Sequence, residues 1–169
     1  MKPTSGTRRE REITLRFVAE PTDENIYGMV HGGAAMKWID QAGFACAAGW
    51  CGAACVTAYV GGIRFYRPIA IGHLVEVRAR LIHTGRTSMH VAVDVSSKDL
   101  RTRLSAPTTH CVIVFVAVDG GGRPTEVPAW EPETEEDLAL QGYARRLQEL
   151  SKQIEGEMRP YLPQMAQGR

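Results

Sequence analysis

Two adjacent glycines and one aspartate break an otherwise nearly uncharged stretch: Gly32 and Gly33, then Asp40, set among Ala34, Ala35, Met36, Trp38, Ile39 and the run Ala42 to Ala48. A helix that starts at the Gly pair offers backbone N–H groups that no side chain covers, and the first four N–H groups of a helix have no internal partner. The helix dipole adds roughly half a positive charge at that end. Such a place suits a carbonyl oxygen that gains negative charge in a transition state. Asp40 supplies the complementary group. A carboxylate in an apolar helix is costly unless paired, and burial moves its pKa up towards the range of a general base. His31, just before the Gly pair, either donates to the same carbonyl or orients the loop, and Asn25 is well suited to capping the turn in front of it.

One helix cannot bring these groups to a single reacting atom. Asp40 follows Gly33 by seven residues, so it lies on nearly the same face but about 10 Å further along the axis, at about 1.5 Å per residue. Two copies packed antiparallel solve the problem, each lending its aspartate to the other's helix start. The arrangement therefore asks for a dimer with two shared sites.

The elements that must hold these residues follow from periodicity. Glu12 to Glu20 alternates, with Ile13, Leu15 and Phe17 on one face, which is the pattern of a half-buried strand. The central helix is apolar nearly all round, which predicts that it is wrapped on every side; it ends around Gly49 to Gly52, where glycine suits a left-handed exit. Val56 to Tyr66 reads as a strand with a bulge or close approach at Gly61-Gly62. Val75 to Leu81 and Ser88 to Val95 alternate across a turn at Gly85, and both read as antiparallel strands with one wet face. Thr108 to Val118 is apolar on both faces, a central strand, with Pro107 at its beginning or at a bulge. Beyond residue 120, Thr134-Glu135-Glu136-Asp137 is a capping pattern, and Leu140, Tyr143, Leu147, Leu150 and Ile154 form the stripe of an amphipathic helix that packs on a sheet.

Composition narrows the function classes. A chain of 169 residues, 44% hydrophobic and 23% charged, is an ordinary globule with a core, expected as one domain. Its net charge of +1 gives no pull towards nucleic acid, and no segment is suited to membrane insertion. Residues 1–11 are polar, lack the apolar region of a secretory signal and read as a disordered lead-in; 12–120 form the domain, and 121–169 a linker, helix and tail. Cys46, Cys51, Cys55 and Cys111 lie in apolar surroundings and read as reduced thiols of a cytoplasmic protein. They lack CxxC spacing, and the histidines are scattered, so no metal site is expected. No GxSxG elbow, Walker loop or dinucleotide fingerprint is present.

One strand, a long helix and four antiparallel strands, in this order, is the layout of the α+β hotdog fold, an antiparallel sheet wrapped around a long central helix, here with an extra C-terminal helix. Four motifs sharpen the likeness: Asn25-x-x-Gly28-x-x-His31-Gly32-Gly33, Trp38-Ile39-Asp40-x-Ala42-Gly43, Phe65-x-Arg67-Pro68-x-x-x-Gly72 and Gly85-Arg86-Thr87-Ser88-Met89. Over roughly residues 12 to 118 the chain resembles the acyl-CoA thioesterases of that superfamily. The resemblance implies a thioester hydrolase that cleaves acyl-CoA to a free acid and CoA without a cofactor. It implies that the Gly32 and Gly33 amides polarise the carbonyl, that Asp40 of the facing subunit is general base or nucleophile, and that Asn25 orients water or substrate. Gly85, Arg86, Thr87 and Ser88 are implied to lie near the CoA nucleotide or pantetheine arm. Homodimers that assemble to tetramers or hexamers are implied as well. His31 stands where the most similar hydrolases often carry an aromatic residue. The competing readings are a non-catalytic acyl-CoA-binding protein of the same fold and a hotdog dehydratase or hydratase.

Overall fold

A computed structural model of the chain describes residues 9–162. Residues 1–8 of the expected lead-in and 163–169 of the expected tail lie outside the described residues. The elements run β1 (Glu12–Val18), α1 (Gly32–Cys51), β2 (Ala54–Phe65), β3 (Leu74–Thr84), β4 (Ser88–Lys98), β5 (Ser105–Val118) and α2 (Glu135–Met158). The strands form one antiparallel sheet in the order β1-β3-β4-β5-β2. Every expected strand is present, with shifted ends. β4 runs on to Lys98, and β5 starts before Pro107, which sits where its pairing with β4 slips by one residue. At the glycine pair the pairing of β2 with β5 also slips, between Gly61 and Arg64, and Gly62 has φ of 64°.

α1 lies against one face of the sheet. Its Ala35, Trp38, Ile39, Ala42, Cys46 and Ala47 meet Val75, Val77, Val91, Val93, Ile113 and Phe115 in a single apolar core. Phe17 of β1 stands edge-on to Trp38, with ring centroids 4.8 Å apart. Gly43 allows the closest approach, because a Cβ there would come within 2.9 Å of the Phe115 ring. The helix leaves through Gly52 in the left-handed conformation.

The expectation that α1 is wrapped on every side does not hold for the single chain. The sheet covers one side only, and the opposite side leaves Met36, Lys37, Asp40, Gln41 and Phe44 exposed. Met36 and Phe44 are 49% and 45% exposed, an apolar surface beside the acid.

α2 lies across the other face of the sheet, the packing its stripe predicts. Leu140, Ala144 and Leu147 cover Ile82, Ala92 and Val112. Ala144 takes the central place that spacing alone gives to Tyr143, and Ile154 is exposed beyond this contact. Thr134 caps the helix by accepting from the Asp137 N–H. Asp137 is buried and receives the Arg11 guanidinium at 2.6 Å. Burial pushes this carboxyl up, but Arg11, the Glu133 N–H and Thr134 outweigh it and hold the pKa below the usual value. Arg11 also lies over the Trp130 ring, and its carbonyl accepts from the Leu81 N–H.

Under α2, His90 of β4 faces His83 of β3 with ring centroids 5.2 Å apart, and its Nε2 has no partner. Burial, then the neighbouring His83, pushes the His90 pKa down to about 4. In the unfolded chain it titrates near 6.5. Between those values the unfolded state binds more protons, so stability is lost as pH falls from about 6.5 to about 4, by on the order of 3 kcal/mol in full. The urea midpoint should decline over that window, and His90→Leu should flatten the decline. Gly43→Val should cost about 1–3 kcal/mol by overpacking against Phe115, seen as a lower melting temperature.

Candidate active site

The sequence places Gly32 and Gly33 as the first two residues of α1, with His31 as the N-cap. Three backbone bonds fold the preceding loop onto this end. His31 N–H donates to the Asp23 carbonyl at 2.7 Å, Val30 N–H to the Ile69 carbonyl at 2.8 Å and Asn25 N–H to the Met29 carbonyl at 2.7 Å. Asn25 is the organiser of this loop: its Oδ1 accepts from the N–H of Tyr27 at 2.8 Å and of Met29 at 3.2 Å. The carbonyl oxygen of its side chain is thereby used, while its amide NH2 makes no bond in the turn.

The two glycine amides differ, contrary to the expectation that both are bare. Gly33 N–H donates to His31 Nδ1 over a long 3.4 Å. Gly32 N–H has no hydrogen-bond partner among the described residues. Beside Gly32 opens a cavity of about 300 Å³, walled by Val30, Ala35, Phe65, Tyr66 and Ile69.

Asp40 stands elsewhere, in the middle of α1 and exposed. Its burial, expected from the apolar helix, is absent in the single chain because the sheet covers only the opposite side. It is nevertheless anchored: Thr57 of β2 donates its hydroxyl to Asp40 Oδ1 at 2.7 Å. Sequence reasoning missed Thr57, since a threonine in a strand is ordinary. The signal was parity, because Thr57 shares a strand face with Cys55, which belongs to the core against α1.

The hairpin Gly85-Arg86-Thr87-Ser88 is at the far end. Gly85 N–H donates to the Ser88 carbonyl at 2.9 Å, and the Arg86 and Thr87 carbonyls accept from the Val127 and Ala117 N–H groups. The neighbouring Thr84 hydroxyl accepts from Trp130 N–H, while Trp50, near the C-terminus of α1, donates to the Pro128 carbonyl. This segment ties the hairpin to the end of α1 that lies about 25 Å from Gly33. Arg86 is exposed, with Glu126 at 3.7 Å. Within one chain, then, Asn25, His31, Gly32 and Gly33 come together, Asp40 joins Thr57, and the hairpin stands apart. Among the described residues no group of three or more His, Cys, Asp or Glu could hold a metal ion, and no helix is long and apolar enough to cross a membrane.

Residues 27–103 match the model of the thioesterase superfamily. The acyl-CoA thioester hydrolase YciA of Salmonella typhimurium is 34% identical over 130 residues, which cover 74% of this chain and 96% of that protein. This chain belongs to the acyl-CoA thioesterases of the thioesterase superfamily. A solved apo-hexameric acyl-CoA thioesterase matches this thioesterase with a TM-score of 0.82 and 34% identity, over 87% of this chain and 95% of the other. An acyl-CoA hydrolase of Staphylococcus aureus, solved with butyryl-CoA and CoA, matches at a TM-score of 0.83 and 26% identity over 94% and 96%. That hydrolase has also been solved with alanine in place of an Asn, an Asp and a Thr. The intervals between those three positions equal the intervals between Asn25, Asp40 and Thr57.

Thr57→Val should release the Asp40 carboxylate and lower the rate of thioester cleavage about tenfold to hundredfold, the worth of a hydrogen bond to a charged group. Thr57→Ser should keep most of the activity. Thiol release from an acyl-CoA, followed with a chromogenic disulfide, measures both.

Proposed function

We propose that the protein hydrolyses acyl-CoA thioesters in a site shared by two subunits, where the Gly32 end of one α1 meets Asp40 of the other. The observation that carries this reading is the division of labour within one chain: an unpartnered amide and a cavity at the start of α1, and an anchored acid about 10 Å further along the same rod. Antiparallel pairing of two α1 helices brings an acid to each helix start.

The single chain carries a surface suited to that pairing. The exposed side of α1 presents Met36 and Phe44 next to Asp40, and the adjacent edge strand β2 is 12 residues long with Val56 and Val60 exposed. A long apolar edge strand in a soluble protein calls for a cover. Tetramers or hexamers of such dimers are the expected assemblies, and the hexameric relative supports that expectation.

In the proposed reaction the thioester carbonyl lies at the start of α1. Gly32 N–H donates to its oxygen, and Gly33 N–H adds to this once it leaves the long contact with His31. His31 thus acts first as the cap that presents the amides. Thr57 occupies one oxygen of Asp40, which leaves Oδ2 for the chemistry, either to take a proton from water or to attack the carbonyl directly. Expulsion of the CoA thiolate completes the cleavage. The Asn25 amide NH2 is available to orient the water or the substrate. The cavity of about 300 Å³ next to Gly32 takes the acyl group. Gly85 to Ser88 belong to the subunit that supplies Asp40, on the side from which the CoA arm approaches. No metal or cofactor has a step in this scheme. The four free thiols fit a reducing, cytoplasmic setting.

Asp40→Asn keeps the shape of the side chain and its bond to Thr57 but removes the base. CoA release from a panel of short, medium, long and aromatic acyl-CoAs should fall by about hundredfold or more, with the oligomer intact by light scattering. Equal rates in the variant, or full turnover by a monomer, would remove the shared site.

A further inference from the structure

Two of the four cysteines touch, outside everything the proposed hydrolysis uses. Cys51 is the last residue of α1 and Cys55 the second residue of β2, and their Sγ atoms lie 3.3 Å apart. Gly52, left-handed with φ of 68°, turns the chain back so sharply that residues four apart meet side by side. A disulfide bond is about 2.05 Å long, so the sulfurs need approach each other by only about 1.3 Å. The other two thiols are isolated: Cys46 and Cys111 are buried in the core, Cys46 donating to the Arg11 carbonyl.

We propose that Cys51 and Cys55 form a reactive dithiol that low-molecular-weight disulfides oxidise to an intrachain disulfide, pinning the start of β2 to the end of α1. Cys51 is half-buried and Cys55 buried, so an oxidant meets Cys51 first. Its thiolate attacks the oxidant's disulfide, forming a mixed disulfide and expelling one thiolate. Cys55 then loses its proton to solvent and attacks Cys51 Sγ, expelling the second. Two protein thiols lose two electrons, and the oxidant leaves as two thiols. Cys55 is the more buried of the two, so the second step is the slow one, and it quickens as pH rises because the attacking group is the thiolate. The pinned strand is the one that carries Thr57, two residues beyond Cys55, and with it the anchor of Asp40.

The test uses the native full chain, reduced, freed of reductant and incubated with oxidised glutathione at mildly alkaline pH. It is then denatured, and the remaining thiols are alkylated. Intact mass should show the loss of two hydrogens and two alkylation sites instead of four, with fragmentation placing the link between Cys51 and Cys55. Cys55→Ser should stop at a glutathione adduct on Cys51, and Cys51→Ser should give neither link nor adduct. The oxidised protein should melt on the order of 5 °C above the reduced one. Four alkylated thiols, a link to Cys46, a bond between chains or a lasting glutathione adduct on the unsubstituted protein would each overturn the dithiol. An unchanged melting temperature in the oxidised form would overturn the pinning. None of these readouts depends on the shared-site reading, so the two can fail separately.

Discussion

An α-helix advances about 1.5 Å per residue and does not bend back on itself, and this rigidity governs the arrangement of the protein. The unpaired amide of Gly32 sits at the start of α1, where the dipole and the lack of an internal partner make it a donor. The only carboxylate of the helix is Asp40, a fixed distance down the same rod. Every other feature answers to that separation. The sheet grips one side of α1, which leaves the acid side bare, and the Asn25 loop folds in front of the helix start, so that donors gather at one end while the acid stays in the middle.

The two sides of the sheet are finished to different degrees. On the α2 side the middle of the sheet is covered, although the far end of α2 leaves Ile154 and Met158 exposed. Leu140, Ala144 and Leu147 cover Ile82, Ala92 and Val112, and the buried Asp137 carboxylate is paired with Arg11 and also accepts from the Glu133 N–H. Breaking that pair would leave an uncompensated charge inside, which is the costly direction. On the α1 side, Met36, Phe44, Val56 and Val60 remain exposed around Asp40 and Thr57. Apolar residues beside a long bare strand edge make an unfinished surface, and it is the surface that a second copy would complete.

Much of this was legible in the sequence because periodicity reports burial. The alternation of Val75, Val77, Ala79 and Leu81 marks β3, and the glycines at 49 and 52 mark the exit of α1. The expectation that α1 is wrapped on every side failed in the single chain for a physical reason. Apolar composition does not say which neighbour supplies the cover, and the sheet covers one side only. The same ambiguity hid the exposure of Asp40. For Thr57 the sequence offers only parity with Cys55, and which face of β2 meets α1 is a tertiary fact. His31 was visible but ambiguous; the structure gives it to the cap, where Nδ1 meets Gly33 N–H. The stripe of α2 named Tyr143 for the core, yet its hydroxyl meets His110 Nε2 at 2.9 Å while the smaller Ala144 takes the place against the sheet. Spacing gives the face of a helix but not the side chain that lies closest to its neighbour.

The edge strand β2 links the separate threads. Its first residues carry Cys55 against Cys51, its next turn of pleat carries Thr57 against Asp40, and its glycine bulge bends the remainder towards Phe65 and the cavity beside Gly32. Like β1 at the opposite edge, β2 is held by one neighbour in the sheet instead of two. The acid therefore rests on a strand with one free edge. The proposed pairing with a second copy would add support at that edge and would also bring the acid to the amides it cannot reach within its own chain. In the proposed site, covering this surface and supporting the anchor of Asp40 are one event, because the exposed apolar side chains stand around Thr57 and Asp40.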